Sequence, residues 1–232
     1  MPASSDVDFR LSPRLALAAE LIPRGRAVAD IGTDHAFLPA FLVREGVAVR
    51  AIAADVSEGP LRNAAQTVKA LGIEDQVELR QSDGLDAFAP GDADCFVFAG
   101  MGGTLIARLL SRCPWINAPQ ATKIVAQPMR RSEDLRKWLM ANGWRIEVEN
   151  ACFDAGRPYS ALRATQSPAA QQSAGYTYYG ELLSCEHPAA KMLLERSRRW
   201  LAKRIAGLEQ CGRLQEERAQ LRLILADLEE RL

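Results

Sequence analysis

Four carboxylates and a run of glycines stand where chemistry is expected. In Ala29-Asp30-Ile31-Gly32-Thr33-Asp34-His35-Ala36-Phe37-Leu38-Pro39, an acidic residue, a spacer and a glycine end an apolar run. A strand-to-helix turn of this kind lets a nucleotide-bearing ligand approach the backbone. Asp34 and Ala36 occupy positions where a dinucleotide fingerprint has its later glycines, and no lysine-containing phosphate loop occurs. A pyrophosphate would meet the Asp34 carboxylate head on, whereas a cationic sulfonium would not. The residues therefore favour S-adenosylmethionine over a nicotinamide cofactor.

Three more strand ends extend this set. Asp55, 25 positions beyond Asp30, is expected either to accept hydrogen bonds from ribose hydroxyls or to cap a helix. In Ser82-Asp83-Gly84 a carboxylate is placed to accept the exocyclic amine of an adenine. Ala99-Gly100-Met101-Gly102-Gly103-Thr104 has three glycines in four positions, which means a backbone passing close to a ligand or to a tightly packed helix.

The elements that must position these residues are short apolar runs at 27–31, 48–54, 77–80, 95–99, 123–126 and 145–148, each read as a strand. Between them 37–44, 59–71, 104–111 and 132–142 carry apolar residues at helical spacing, as in Leu61, Ala65, Val68 and Leu71. Ser132 is expected to start a helix and Gly143 to stop it. A last strand at 159–163 should pair antiparallel with 145–148, and Ser12-Pro13 should open a short helix ended by Pro23. This alternation predicts an α/β fold on a mostly parallel sheet.

The small-residue stretch 166–175 reads as a linker, dividing a domain at 1–165 from a tail at 166–232. In the tail Leu194, Leu201 and Leu208, with Ile205, repeat every seven residues, and Leu214, Leu221 and Leu228, with Leu225 and Leu232, form a second series out of phase with the first. That phase break, with Gly212 in it, predicts an antiparallel helical hairpin with coiled-coil packing, one face docked on the first domain or on a partner. Trp200, beside Leu201, is expected in the core, the alternative being a stack on a nucleotide.

Composition excludes several classes. Hydrophobic residues at 48% and charged residues at 25% are ordinary for globular proteins and argue against disorder. No apolar run approaches the ~18 residues of a spanning helix and no signal peptide opens the chain, so a cytoplasmic protein without a membrane is expected. Cys95, Cys113, Cys152, Cys185 and Cys211 are too scattered for a metal or redox motif, so no metal is expected. The net charge is zero, yet 24 of 29 cations are arginine, whose planar fork fits phosphate oxygens. Between 191 and 204, Lys191, Arg196, Arg198, Arg199, Lys203 and Arg204 face one anion, Glu195. That cluster is either a solvated helix face or a grip on RNA phosphates.

Taken together, Asp-Ile-Gly-Thr-Asp-His-Ala-x-Leu-Pro at 30–39, Gly59-Pro60, Ser82-Asp83-Gly84-Leu85, Ala99-Gly-Met-Gly-Gly103 with Leu105-Ile106, and Gln127-Pro128 resemble the bacterial tRNA (adenine-N1)-methyltransferase family that modifies adenine 22. The match runs in order from Leu11-Ser-Pro-Arg-Leu15 to about Arg163, and the helical tail fits it. The resemblance implies a Rossmann-like class I methyltransferase fold with a seven-stranded, mostly parallel sheet, S-adenosylmethionine as methyl donor, and a coiled-coil domain that helps hold tRNA. It places the cofactor against Arg14, Asp30, Gly32, Thr33, Asp34, His35, Asp55, Val56, Ser82, Asp83, Gly84, Ala99, Gly100, Met101 and Gly102. The catalytic candidates are Asp34, His35, Phe37 and Met101. His35 either orients the base or caps the following helix, and Phe37 stands where many relatives have Tyr, keeping the ring and losing a hydroxyl. RNA contacts are expected from Arg130, Arg131 and the cluster at 191–204, in a protein expected to be a monomer, the alternative being a dimer through the hairpin. The rival readings are a methyltransferase acting on another RNA or on a small molecule, and a non-catalytic S-adenosylmethionine-binding protein whose hairpin binds a partner.

Overall fold

The computed structural model describes residues 10–118, 122–167, 172–173, 175–211 and 214–232. The expected elements form, with β-edges longer than the apolar runs. They are α1 (Pro13–Glu20), β1 (Arg26–Ile31), α2 (Phe37–Arg44), β2 (Ala48–Asp55), α3 (Glu58–Leu71), β3 (Val77–Gln81), β4 (Cys95–Ala99), α4 (Gly103–Ser111), β5 (Lys123–Gln127), α5 (Ser132–Ala141), β6 (Trp144–Asp154), β7 (Arg157–Gln166), α6 (Tyr176–Tyr179), α7 (Pro188–Cys211) and α8 (Gln215–Arg231). Seven strands make one sheet in the order β3-β2-β1-β4-β5-β7-β6. Only β7 runs against its neighbours, between β5 and β6.

Alternate residues of the central strands face opposite layers, as strand geometry requires. Val28, Ala53, Val97 and Val125 pack under α1, α2 and α3, through Leu17, Leu38 and Val68. Ala29, Ile52, Phe96 and Ile124 pack under α4 and α5, through Ile106, Leu109, Leu135 and Leu139. Buried side chains of the hairpin, Leu194, Leu201, Ile205, Leu221 and Leu228 among them, continue this second layer without a break. The hairpin is antiparallel: Arg198 pairs with Glu229 at 3.5 Å, and further along α7 Glu209 pairs with Arg222 earlier in α8. Leu214 and Leu232 stay exposed rather than joining the seam, and Ile224 enters it. Of the proposed linker and hairpin turn, 168–171, Ala174 and Gly212 lie outside the described residues.

One local expectation is corrected. Trp200 is 43% exposed. Leu201 points fully into the core, and one helical residue turns the next side chain by about 100°, so its neighbour faces out. Ser132 starts α5 as expected, after Arg131 turns the chain with φ 59°.

A buried ion pair holds α5, β6 and the start of the C-terminal segment together. Arg136 Nη2 donates to Glu149 Oε1 at 2.6 Å, its Nε to Oε2 at 3.1 Å, and its Nη1 to the Thr177 carbonyl at 3.0 Å. Glu149 also accepts from Ser160 Oγ at 3.0 Å and the Glu181 N–H at 3.3 Å.

Candidate active site

The strand order reverses between β1 and β4, and in open α/β sheets ligands bind beyond the carboxyl ends of the strands at that point. A cavity of 510 Å³ opens there, within the range of small-molecule sites. Asp30, Gly32 and Thr33 from the end of β1 and Ala99 and Gly100 from the end of β4 form its floor. Asp34, His35 and Phe37 form one wall, and Leu11, Ser12 and Arg14 close it from the start of α1.

Each wall has a local cause. Gly32 has φ 83°, and a Cβ there would overlap the Met101 methyl, so a side chain fails on both counts. Gly103 is demanded by packing instead: a Cβ would run into the Arg131 carbonyl, and its N–H donates to the Arg130 carbonyl at 2.8 Å. Within the glycine run, Gly100 lines the cavity and Gly103 packs against the β5–α5 connection. Gln127, fully buried at the end of β5, accepts on Oε1 from Arg14 Nη1 at 3.2 Å and from the Gly100 N–H at 3.3 Å. Arg14 also pairs with Asp154 at 3.5 Å. These contacts fix the arginine over the cavity.

Asp30 is a buried carboxyl, and burial pushes it up to about 6, against a lowering hydrogen bond from Thr33 and with a further rise from the Asp55 charge. No cation pairs with it among the described residues. Ser12 Oγ, buried at the cavity wall, has no hydrogen-bond partner. An unpaired buried acid and an orphan hydroxyl facing one cavity fit a ligand that carries both a cation and hydrogen-bonding groups.

The mouth is aromatic and acidic. His35 and Phe37 stack at 5.1 Å with planes 15° apart, and Phe37 is 42% exposed. His35 Nε2 lies 3.4 Å from Asp34 Oδ2, whose side chain is 75% exposed. His35 makes no cap to α2, which begins after Ala36 in the left-handed region with no side-chain bond. The remaining candidates flank the cavity rather than line it. Asp55 Oδ1 accepts the Ser57 N–H at 2.8 Å, just before α3. Val56 is exposed beside it. Ser82 Oγ is committed to its own turn, donating to the Gly84 carbonyl at 2.9 Å and accepting the Ala87 N–H at 3.1 Å. Asp83 is paired with Arg112 at 2.7 Å. Met101 packs over Gly32, and Gly102 lies against Arg130.

Of the proposed RNA contacts, Arg131 is held by Asp134 at 3.0 Å and Glu133 at 3.4 Å, Arg198 by Glu195 and Glu229, and Arg204 by Glu217 at 2.9 Å. Arg199 Nε donates to the Glu195 carbonyl at 3.3 Å. Lys191, Arg196, Lys203 and Arg130 show no ion pair among the described residues. In the sequence Gln127 and Arg112 had no assigned role and Ser12 only that of opening α1. Ser12 and Gln127 each carried a signal, within Leu11-Ser-Pro-Arg-Leu15 and Gln127-Pro128.

A family model described as a methyltransferase domain matches residues 11–162. The tRNA (adenine(22)-N(1))-methyltransferase of Bacillus subtilis is 35% identical over 157 residues, 68% of this chain and 66% of that protein, so the aligned part falls just short of two thirds of the relative. The crystal structure of the B. subtilis m1A22 tRNA methyltransferase TrmK superposes with a TM-score of 0.83 at 27% identity, covering 96% of this chain and 99% of that one. A Streptococcus pneumoniae protein described as a putative tRNA (m1A22) methyltransferase, solved with S-adenosyl-L-methionine, gives a TM-score of 0.76 at 32% identity, over 96% and 100% of the two chains.

Proposed function

The chain belongs to the methyltransferase-domain family and, within it, to the TrmK-like tRNA (adenine(22)-N1)-methyltransferases, and from that membership we propose that it methylates N1 of adenine 22 in tRNA with S-adenosylmethionine. The observation that carries the reading is the cavity at the β1/β4 reversal, with an uncompensated buried carboxyl at its floor and a stacked aromatic pair at its mouth. No helix among the described residues is long and apolar enough to cross a membrane.

S-adenosylmethionine, when bound, supplies an electrophilic methyl on a positive sulfonium. Asp30 would hold its cationic end, with Ser12 Oγ and the Gly32 backbone close by, and Asp55 would take ribose hydroxyls with the carboxylate oxygen not bonded to Ser57. Adenine N1 carries an in-plane lone pair and needs no general base. The protein's work is alignment, exclusion of water and stabilisation of the charge that arrives on the base. N1 lies on the Watson–Crick edge, so the base must leave any pair to be reached. The Phe37–His35 stack offers it a flat surface, and Asp34 a carboxylate beside that surface. Arg130, Lys191, Arg196 and Lys203 are the cations left to engage phosphates, and the paired Arg131, Arg198 and Arg204 must exchange partners to do so.

The test is an unmodified tRNA transcript incubated with methyl-labelled S-adenosylmethionine, followed by nucleoside mass spectrometry. Labelled 1-methyladenosine, lost when adenine 22 is replaced by guanine, is expected. Label in another nucleoside, or none, overturns the reading.

Asp30 adds a pH dependence. Below about pH 6 its carboxyl is protonated in the free protein, while a bound cation favours the carboxylate, so binding expels a proton there. Affinity for S-adenosylmethionine should fall as pH drops below 6, by up to about tenfold per unit, and stay level above it. Calorimetry at pH 5 and 7.5 checks this. The Asp30→Asn variant should bind weakly and without that slope, and an equally steep slope in the variant would assign the titration to another group.

A further inference from the structure

A second cleft, of 220 Å³, lies between the start of α5, α6 and α7, away from the floor of the methyl-transfer cavity. Its aromatic wall is Trp200 stacked on Tyr178, with ring centres 5.9 Å apart and planes 26° from parallel. Its polar lining includes Arg130, Arg131 and Arg196, with the Glu133 carboxylate held 3.4 Å from Arg131. Ser197 Oγ donates to the Tyr178 carbonyl at 3.3 Å, which ties α6 to α7 beneath the stack. Trp200 also borders another hollow, of 250 Å³, with Lys203 and Arg204. At the opposite end Arg130 runs along Gly102, next to the cavity at β4. One exposed indole therefore stands in a row of cations that begins at the active-site rim.

We propose that this cleft is a stacking subsite for a second unpaired nucleotide of the tRNA, its base against Trp200 and its phosphate at Arg196 and Arg130. The inference rests on the tRNA reading above and extends it to a second base. Its volume lies below the ~300–1,000 Å³ typical of small-molecule sites, which suits a single base. Flat aromatic faces flanked by arginines are how proteins hold unpaired bases without reading their sequence. Trp200 is 43% exposed even though it stacks on Tyr178. A base held here would fix the RNA while the target adenine occupies the other cavity, so that two unpaired nucleotides anchor one substrate.

The experiment measures equilibrium binding of a full-length tRNA transcript and of S-adenosylmethionine separately, for wild type, Trp200→Ala, Trp200→Phe and Arg196→Ala. Trp200→Ala is expected to weaken tRNA binding by about 5- to 150-fold, the usual effect of losing one base–aromatic stack. Trp200→Phe should restore most of it, and cofactor affinity should not move. Arg196→Ala should reduce the slope of log affinity against log salt by about 0.7. Unaltered tRNA affinity in Trp200→Ala overturns the subsite while wild-type methylation of adenine 22 leaves the enzymatic reading standing. A loss that Phe does not rescue and that extends to the cofactor also overturns it, since Trp200 would then be a packing residue. A wild-type protein that neither binds nor methylates tRNA overturns both.

Discussion

Replacing Asp34 with Ala is expected to lower kcat for tRNA methylation by about 10- to 100-fold while leaving affinity for S-adenosylmethionine nearly unchanged. When N1 is alkylated, a positive charge appears on an aromatic ring, and an aligned carboxylate at that ring is a charged hydrogen-bond partner worth about 1.5–3 kcal/mol. Asp34 sits at the mouth, three-quarters exposed, touching His35 at 3.4 Å. In the free protein water screens it. Once RNA covers the mouth the same charge acts through a lower dielectric, so its influence grows in the state where chemistry happens. The Asp34→Asn variant keeps the acceptor and loses the charge, and should fall between wild type and Asp34→Ala. Single-turnover rates at saturating tRNA, set beside calorimetric cofactor affinities, separate the two effects. A defect confined to cofactor affinity would move Asp34 from the base to the donor.

The second large effect is on stability. Arg136→Ala should lower the unfolding free energy by about 3–5 kcal/mol, because it leaves Glu149 charged, buried and without its partner. For a chain of this length that is a fall in Tm of roughly 6–20 °C. Arg136→Met combined with Glu149→Leu removes both charges together and should lose much less, since desolvation and attraction disappear in step. Urea denaturation of the three proteins decides it. Comparable losses in the single and double variants would show that packing around the side chains, not the ion pair, carries the effect.

Sequence and structure agree most where one physical signal dominates. The central strands are apolar on both faces because helices cover both, so 95–99 stands out unaided. At the sheet edge β6 and β7 each outrun their apolar cores by several residues. There one face is half solvated, and an irregular register between Ile146 and Val148 breaks the alternation. The turn joining them is equally hidden: Ala155 and Gly156 both have positive φ, the geometry of a tight hairpin, but Ala in place of Asn or Asp gives little warning of it. In the site, Asp30, Gly32 and Gly100 announce themselves by standing at strand ends. The Gln127 bridge to Arg14 and the Trp200–Tyr178 stack do not, since each joins distant positions by tertiary packing alone.

The position of β7 also has a meaning in time. A ribosome delivers β6 before β7, yet β6 has no neighbour in the sheet except β7. Until residues 157–166 emerge, the growing chain carries the completed β1–β4 crevice beside an open β5 edge, while an eleven-residue strand waits unpaired. Open edges of that kind invite pairing with the wrong chain. Insertion of β7 closes both at once, and it brings Asp154 within reach of Arg14 at the cavity. The polarity of one strand thus makes the hairpin's arrival the moment at which the edge is sealed and the last wall of the pocket is fastened.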